Sequence, residues 1–529
     1  MNLPKYLVAT LISLLMFIGH AFALTADQKI TLITGDNELR IGALSKVAES
    51  SDTEAIPYLQ AISDDQVKIK GKQIFIVNDS DVIDAITGKA VELPDDAEDV
   101  VNNNQMRGEI DATISALNLF SKETKIRLDA AKALLDADPS AGRLVLIKKA
   151  EQQETDSAVK QILFQVRAAI EINSEDKATR LAAAKQLGES ANPGNKQILS
   201  SRLGPDGEKD QEVVAEIKHS LNLIQGHMAI YDKLGQIFTG ISLGSILLLA
   251  ALGLAVTYGL MGVINMAHGE MMMIGAYATF VIQNLFHHYL PGAFNWYLLA
   301  AIPFAFFVTA IVGIIIERLV LRHLYGRPLE TLLATWGVSL MLMQLVRTIF
   351  GAQNVEVENP VWMSGGIELA TNLILPNNRI YIIGFAVFVL FAMWMLITKT
   401  RLGLFIRAVT QNRAMASCTG VNTRKVDAMA FGLGSGIAGL AGVALSQIGN
   451  VGPALGQGYI VDSFMVVVLG GVGQLAGAVY AAMGLGIVSK FLEGIAGAVL
   501  AKIFVLVIII IFIQKRPQGL FAFKGRSID

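Results

Sequence analysis

The sequence predicts an all-α polytopic membrane protein of about eight transmembrane helices, preceded by an exported, mainly α-helical domain that carries a short β-hairpin. Three observations lead there. The 529-residue chain is 53% hydrophobic with a mean hydropathy of +0.50, against an apolar share of about 45–50% in ordinary soluble proteins even when Gly is counted. The excess is uneven: residues 24–236 are polar and charged, whereas long apolar runs dominate 237–513. The first residues, MNLPKYLVATLISLLMFIGHAFALTADQ, have the layout of a secretory leader.

In that leader, Lys5 is the positive region, Tyr6 to Gly19 the apolar region and Ala21-Phe22-Ala23 the cleavage motif. Residues 1–23 are therefore expected to be a signal peptide. The alternative is an uncleaved anchor, for which the apolar region is short. Either reading exports residues 24–236, in a bacterium to the periplasm.

Within the exported part, QVKIKGKQIFIV (66–77) alternates on both sides of Gly71-Lys72 and predicts a β-hairpin. A turn follows at Asp84 to Lys89. From about Gln105 the pattern is helical, with breaks near Asp138-Pro139 and Asn173-Ser174. RLDAAKAL (127–134) and RLAAAKQL (180–187) agree at six of eight positions, 53 residues apart. Stacked helical hairpins of the HEAT type produce such a pattern, and so does chance similarity between Ala-rich amphipathic helices. No catalytic constellation stands out here, so the expected role is scaffolding or docking.

Candidate spans are residues 237–258, 269–286, 296–316, 329–350, 380–398, 425–447 and 497–514. A further Gly-rich apolar region covers 460–494, as two short spans or one re-entrant loop bending at Gly470-Gly471. Charge sets the orientation. Arg318, Arg322 and Arg327 follow the third span. Lys399, Arg401, Arg407, Arg413, Arg424 and Lys425 lie between the fifth and sixth, and Lys515, Arg516, Lys524 and Arg526 close the chain. The basic loops are expected to be cytoplasmic, which agrees with an exported domain before the first span. An exported domain and a cytoplasmic tail require 460–494 to cross an even number of times; the expectation is about eight spans, with six as the fallback. The expected organisation is thus a membrane domain over 237–520 and a cytoplasmic tail over 521–529.

Other features bound the function. A net charge of −2 points to no nucleic-acid partner. The single cysteine, Cys418, rules out an internal disulfide and a cysteine metal cluster. Gly432, Gly434, Gly436, Gly439 and Gly442 put small residues at close helical spacing, which suits tight helix packing. A Walker A lysine is lacking, since Gly71-Lys72 and Gly88-Lys89 are followed by Gln and Ala. No HExxH or Ser/His/Asp set suggests an intramembrane enzyme.

The stretch GLMGVINMAHGEMMMIG (259–275) places Asn265, His268 and Glu270 in an apolar run. On a continuous helix, Asn265 and His268 would be about 60° apart and His268 and Glu270 about 200° apart. A break near His268-Gly269 resolves this, with Glu270 in the first turn of a new helix. The connection lacks Lys and Arg, so it is expected to be buried. Two readings stand. The polar groups are satisfied locally, or they face a transport pathway.

GISLGS (240–245), then LLLAALGLAVTYGLMGVINMAHGEMMMIGAYATF (247–280), closely resembles the permease subunits of the branched-chain amino-acid and urea ABC importer family, most nearly the urea permeases. The resemblance covers about 237–520. DAITGKAVELP, VNNN and the Ala-rich repeats of the first part resemble the extension of many urea permeases. What the resemblance implies is one permease of a heterodimer in the bacterial inner membrane, working with a second homologous permease, two cytoplasmic ATP-binding subunits and a periplasmic substrate-binding protein. It implies ATP hydrolysis by those partners and no cofactor on this chain. The expected cargo is urea or a short amide, imported by alternating access, with Asn265, His268 and Glu270 as pathway residues. The alternatives are branched-chain amino-acid import and a passive solute channel. The resemblance also makes the loop 398–425 an ATPase-coupling segment of the E-A-A-x-x-x-G kind, in which Ala416 and Gly420 match while Ala414 and Met415 depart from the pattern. Arg407 and Arg413 supply its basic character. Without the resemblance, a solvated or lipid-facing loop fits the same residues.

Overall fold

The computed structural model describes residues 24–78 apart from 51–52, residues 81–204 apart from 95, and residues 207–262, 265–370, 373–516 and 519–521. The expected signal peptide and nearly all of the expected tail lie outside these. The chain forms two compact units that divide between Met228 and Ala229.

The first unit opens with helices α1 (Ala26–Thr34), α2 (Asn37–Ser50) and α3 (Ile56–Ser63). The hairpin follows: β1 (Val67–Lys70) pairs antiparallel with β2 (Gln73–Asn78), turning at Gly71, whose φ of 62° suits a residue without Cβ. The hairpin is the centre of a larger sheet. β3 (Asp81–Asp84) and β4 (Glu98–Asp99) flank it in the order β3-β2-β1-β4. Both added strands are short and polar, so alternation does not reveal them. The Asp84 carboxylate accepts from the Ile86 and Thr87 amides and holds the expected turn. Val67, Ile74 and Ile76 bury against Leu44, Tyr58, Leu59 and Met106.

Six more helices follow: α4 (Asn104–Asn118), α5 (Thr124–Asp136), α6 (Leu144–Gln153), α7 (Ser157–Glu171), α8 (Lys177–Gly188) and α9 (Pro193–Ser201). The next, α10 (Gln211–Met261), runs 51 residues, and its Val213, Ile217 and Ile224 complete the last apolar layer of this unit with Ala184, Leu187 and Leu199. The repeat read from RLDAAKAL and RLAAAKQL is structural. Arg127 and Arg180 occupy equivalent places in α5 and α8. Arg127 donates to Glu154 from Nε (2.8 Å) and Nη2 (3.0 Å). Arg180 donates likewise to Glu208, at 2.6 and 3.2 Å. Each Arg also donates from Nη1 to two carbonyls of the preceding turn, Ser121 and Lys122 or Ser174 and Glu175. Each Glu accepts from the two backbone amides after it, and the second of those residues, Asp156 or Asp210, accepts amides of the helix that follows. One period thus holds three helices, more than the two of a HEAT hairpin.

This pin is acid-sensitive. The hydrogen bond from Arg127 holds the Glu154 carboxyl below its ordinary 4.5, helped by the backbone amides. Arg180 does the same for Glu208. A carboxyl lowered on folding contributes stability above its unfolded value and loses it as pH falls through the folded one. The first unit is therefore expected to loosen below about pH 4.5. Glu154→Gln and Glu208→Gln should raise amide exchange in α5–α9 of the full chain roughly tenfold at pH 7 and flatten that acid response. Hydrogen exchange across pH 3–7 measures both.

In the second unit, α10 continues and is followed by α11 (His268–Tyr289), α12 (Tyr297–Leu319), α13 (Pro328–Phe350), α14 (Asn377–Lys399), α15 (Arg401–Gln411), α16 (Arg413–Cys418), α17 (Thr423–Ser446), α18 (Leu455–Gly470), α19 (Leu475–Ala496) and α20 (Ala498–Lys515). Among the described residues, seven helices are long and apolar enough to cross a bilayer, against about eight expected. The difference has a physical source. The 22-residue α11 is diluted by His268, Glu270, Gln283, His287 and His288, and α18 has 16 residues. The region 460–494 is a helical hairpin, α18 to α19, that turns at Gly471 and Gly473 with φ of 99° and 77°.

The centre of this unit is built on missing side chains. α17 is buried along almost its whole length. A Cβ at Gly439 would sit 2.3 Å from the Thr309 hydroxyl of α12, one at Gly275 2.2 Å from the Gly439 carbonyl, and one at Gly442 1.9 Å from the Met272 carbonyl. Helix backbones approach closely where glycines face each other, which gives dispersion contact in place of a hydrophobic driving force. By contrast α13, α14 and α20 expose most of their apolar surface.

A hairpin of β5 (Gly366–Ala370) and β6 (Leu373–Pro376) lies between α13 and α14. The segment before it is pinned to the bundle. Val355 pairs with Val451, the Glu358 amide donates to Gln283 Oε1, and the Tyr297 hydroxyl donates to the Glu358 carbonyl at 2.6 Å.

Candidate functional site

The polar stretch lies at a break between α10, which ends at Met261, and α11, which begins at His268. The break therefore comes a few residues before the expected His268-Gly269. Gly262 turns the chain with φ of 65°. Residues 263–264 lie outside the described residues. The described end of the connection is largely buried, in keeping with its lack of Lys and Arg: Asn265 and Ala267 lie inside the unit, as do His268 and Glu270 of α11, whereas Gly262 is exposed.

The three candidate side chains do not meet. Asn265 Oδ1 accepts from the Ala267 amide at 3.0 Å, just ahead of the helix. His268 turns back to α10, with Nε2 3.0 Å from the Ala250 carbonyl. A carbonyl only accepts, so Nε2 carries the proton and Nδ1 is the bare nitrogen, without a hydrogen-bond partner among the described residues. The ring also fills the space at Gly253, where a Cβ would come within 3.0 Å of its Cε1. His268 thus staples α11 to α10. Glu270, in the first turn of α11 as expected, reaches in another direction, toward Ser339 of α13.

Glu270 leads to residues that the sequence reading missed. Thr331, Thr335 and Ser339 recur every four positions on α13 and are buried on a helix that is otherwise largely exposed. Thr335 Oγ1 accepts from the Met266 amide at 3.2 Å. Thr331 faces a small cavity of about 10 Å³, room for about one water, lined also by Thr257, Met261, Asn265, Leu321, Tyr325 and Phe431. The seam between α13 and the break is therefore polar from Thr331 to Ser339, with Asn265 and Glu270 at its two ends. The i, i+4, i+8 spacing was visible in the sequence, but a single small hydroxyl per turn barely alters hydropathy.

The basic loop holds two short helices. In α15, Gly403, Ile406 and Val409 face inward and Arg407 is exposed. Gly403 abuts the Ile397 carbonyl, where a Cβ would be 2.1 Å away. In α16 only Ala416 is buried, Met415 is 62% exposed, and Gly420 ends the segment with φ of 86° and open space around it. Cys418 is a free, exposed thiol. Arg413 is fastened inward. Its guanidinium forms an ion pair with both carboxylate oxygens of the fully buried Asp427 and lies over the Tyr325 ring, 5.0 Å from its centre. The Tyr325 hydroxyl donates to Glu317 Oε1 at 2.9 Å, and Arg322 lies 3.6 Å from Glu317 Oε2. Among the described residues, no group of three or more His, Cys, Asp or Glu side chains is placed to hold a metal ion.

Comparison with known proteins assigns this unit. A family model described as "Branched-chain amino acid transport system / permease component" matches residues 236–513. The high-affinity branched-chain amino acid transport system permease protein BraD of Pseudomonas aeruginosa is 29% identical over 297 residues, 55% of this chain and 96% of its own length. LivH of Escherichia coli, of the same description, is 30% identical over 295 residues, 54% of this chain and 94% of its own. The probable branched-chain amino acid transport permease LivH of Methanocaldococcus jannaschii is 27% identical over 291 residues, 52% and 88% respectively. No solved structure matches the chain.

Proposed function

The chain belongs to the branched-chain amino acid transport system permease component family, and on that premise we propose that it is one permease subunit of an ATP-driven importer of branched-chain amino acids. The observation that carries the reading is that the match takes in nearly the whole of BraD and LivH, whose names specify that cargo. The partners of this reading are a second permease, two cytoplasmic ATP-binding subunits and a periplasmic binding protein, with the permease in the inner membrane and its first unit in the periplasm. The basic residues that follow the third and fifth apolar spans support a cytoplasmic place for those loops.

In this proposal the pathway runs along the polar seam. Asn265 and Glu270 belong to it, together with Thr331, Thr335 and Ser339. His268 serves by fixing α11 against α10. A permeating amino acid meets hydroxyls, an amide and a carboxylate there, a set that both donates and accepts. The loop 398–425 docks the ATPase, with Met415 and the exposed face of α15, including Arg407, turned toward it. Ala416 seats α16 on the membrane unit, and Gly420 permits the reversal of the chain after it.

Urea is the second reading. What favours it is the first unit, which lies outside the residues 236–513 that the family model matches and resembles the extension of urea permeases. The comparisons reverse the order in which the sequence ranked the two cargoes. Uptake of labelled leucine and labelled urea into cells with and without this chain, its partners being present, separates them. Leucine uptake that depends on the chain is the expected result. Chain-dependent urea uptake with no leucine uptake would replace the cargo and keep the family.

A further inference from the structure

Building on the permease reading, we propose that Glu317, Arg322, Tyr325, Arg413 and Asp427 form a latch that transmits movement of the ATPase-facing segment to the cavity at Asn265. α16 projects outward apart from Ala416, and its inward anchor is Arg413. That anchor grips two elements at once. It pairs with Asp427 at the start of α17, and it lies over Tyr325, whose ring lines the cavity with Asn265, Thr257 and Thr331. Tyr325 in turn holds Glu317 at the end of α12. One aromatic ring therefore touches both the ATPase-facing helix and the closed cavity.

The charges explain why the parts move together. Two arginines face two carboxylates, and both Glu317 and Asp427 are fully buried. Pulling Arg413 away would leave Asp427 as an uncompensated buried charge, which costs far more than keeping the pair. A displaced α16 thus carries Asp427 and Tyr325 with it. α12 and α17 follow as one body, because Gly313 meets Ser435 and Gly439 meets Thr309 along their shared face. The movement shifts the Tyr325 ring at the cavity wall, and the cavity opens or closes. Arg413 and Tyr325 are positioning residues in this scheme.

The test uses the full complex in proteoliposomes, with labelled leucine transported per ATP hydrolysed as the readout. Asp427→Asn, which lies outside the docking loop and is fully buried, should copurify with the ATPase subunits as wild type does and hydrolyse ATP within about twofold of it. Leucine moved per ATP should fall at least about tenfold. Tyr325→Phe, which removes one oxygen and keeps the ring, should lower the ratio about threefold, and it decides the matter if Asp427→Asn fails to fold. Loss of ATPase copurification in a folded Asp427→Asn protein would make the Arg413–Asp427 pair part of the docking surface and overturn the latch. So would an unchanged ratio in both Asp427→Asn and Tyr325→Phe. Absence of ATP-dependent uptake in the wild-type complex would instead refute the permease reading.

Discussion

Replacing Gly442 by Ala should strongly destabilise the membrane unit. The added Cβ would lie 1.9 Å from the Met272 carbonyl oxygen and 2.8 Å from the Ala276 nitrogen, both backbone atoms of α11. No rotamer relieves such an overlap, so α17 and α11 must separate. Separation also loosens the nearby contact of Gly275 with Gly439, where a Cβ would already meet a carbonyl at 2.2 Å. Overpacking of this kind costs about 3 kcal/mol, or a fall of about 10 °C in melting temperature for a unit of this size. Gly484 of α19 has open space where its Cβ would be, so Gly484→Ala should be neutral or stabilising by up to about 1 kcal/mol. Thermal size-exclusion profiles of the two variants in detergent check both. A Gly442→Ala protein as stable as wild type would mean that the close helix contact does not exist.

The second large effect is functional. Glu270→Gln keeps the shape of a buried side chain and leaves a carbonyl oxygen facing Ser339. The variant should assemble and melt near the wild-type temperature. Uptake should fall at least about tenfold, about 1.4 kcal/mol in a barrier, because an ionisable group at membrane depth is costly and its charge is then put to use. Wild-type uptake would remove Glu270 from the pathway. Loss of the folded protein would make it a structural group, like His268. Initial rates of leucine uptake, scaled to the amount of folded protein, separate the three outcomes.

Much of the membrane unit was legible because its signals are local. Apolar runs gave the helices, the glycines of 432–442 gave the packing face, and the angle between His268 and Glu270 required a break. The hairpin at Gly71 and the Arg127/Arg180 repeat were legible for the same reason: alternation and short motifs need no distant partner. What the sequence hid depends on partners far along the chain. Glu154 and Glu208 are unremarkable charges until Arg127 and Arg180 turn onto them. Asp427 reads as the polar start of a span, and only the fold brings it to Arg413 and near Tyr325. Thr331, Thr335 and Ser339 become a seam only against Met266 and Glu270. The α11 helix departs from the span count because its polar residues, His268 and Glu270 at one end and His287 and His288 at the other, lower the very hydropathy by which spans are recognised.

The central claim is that this chain passes solute only when partner subunits hydrolyse ATP. The direct measurement is labelled leucine uptake into proteoliposomes holding the complete complex with binding protein, compared with the same complex whose ATPase subunits carry a substituted nucleotide-binding lysine. Accumulation against a gradient with the active ATPase, and none with the inactive one, is the result predicted. Leucine or urea flux that runs down its gradient equally in both would contradict the account and identify a passive channel.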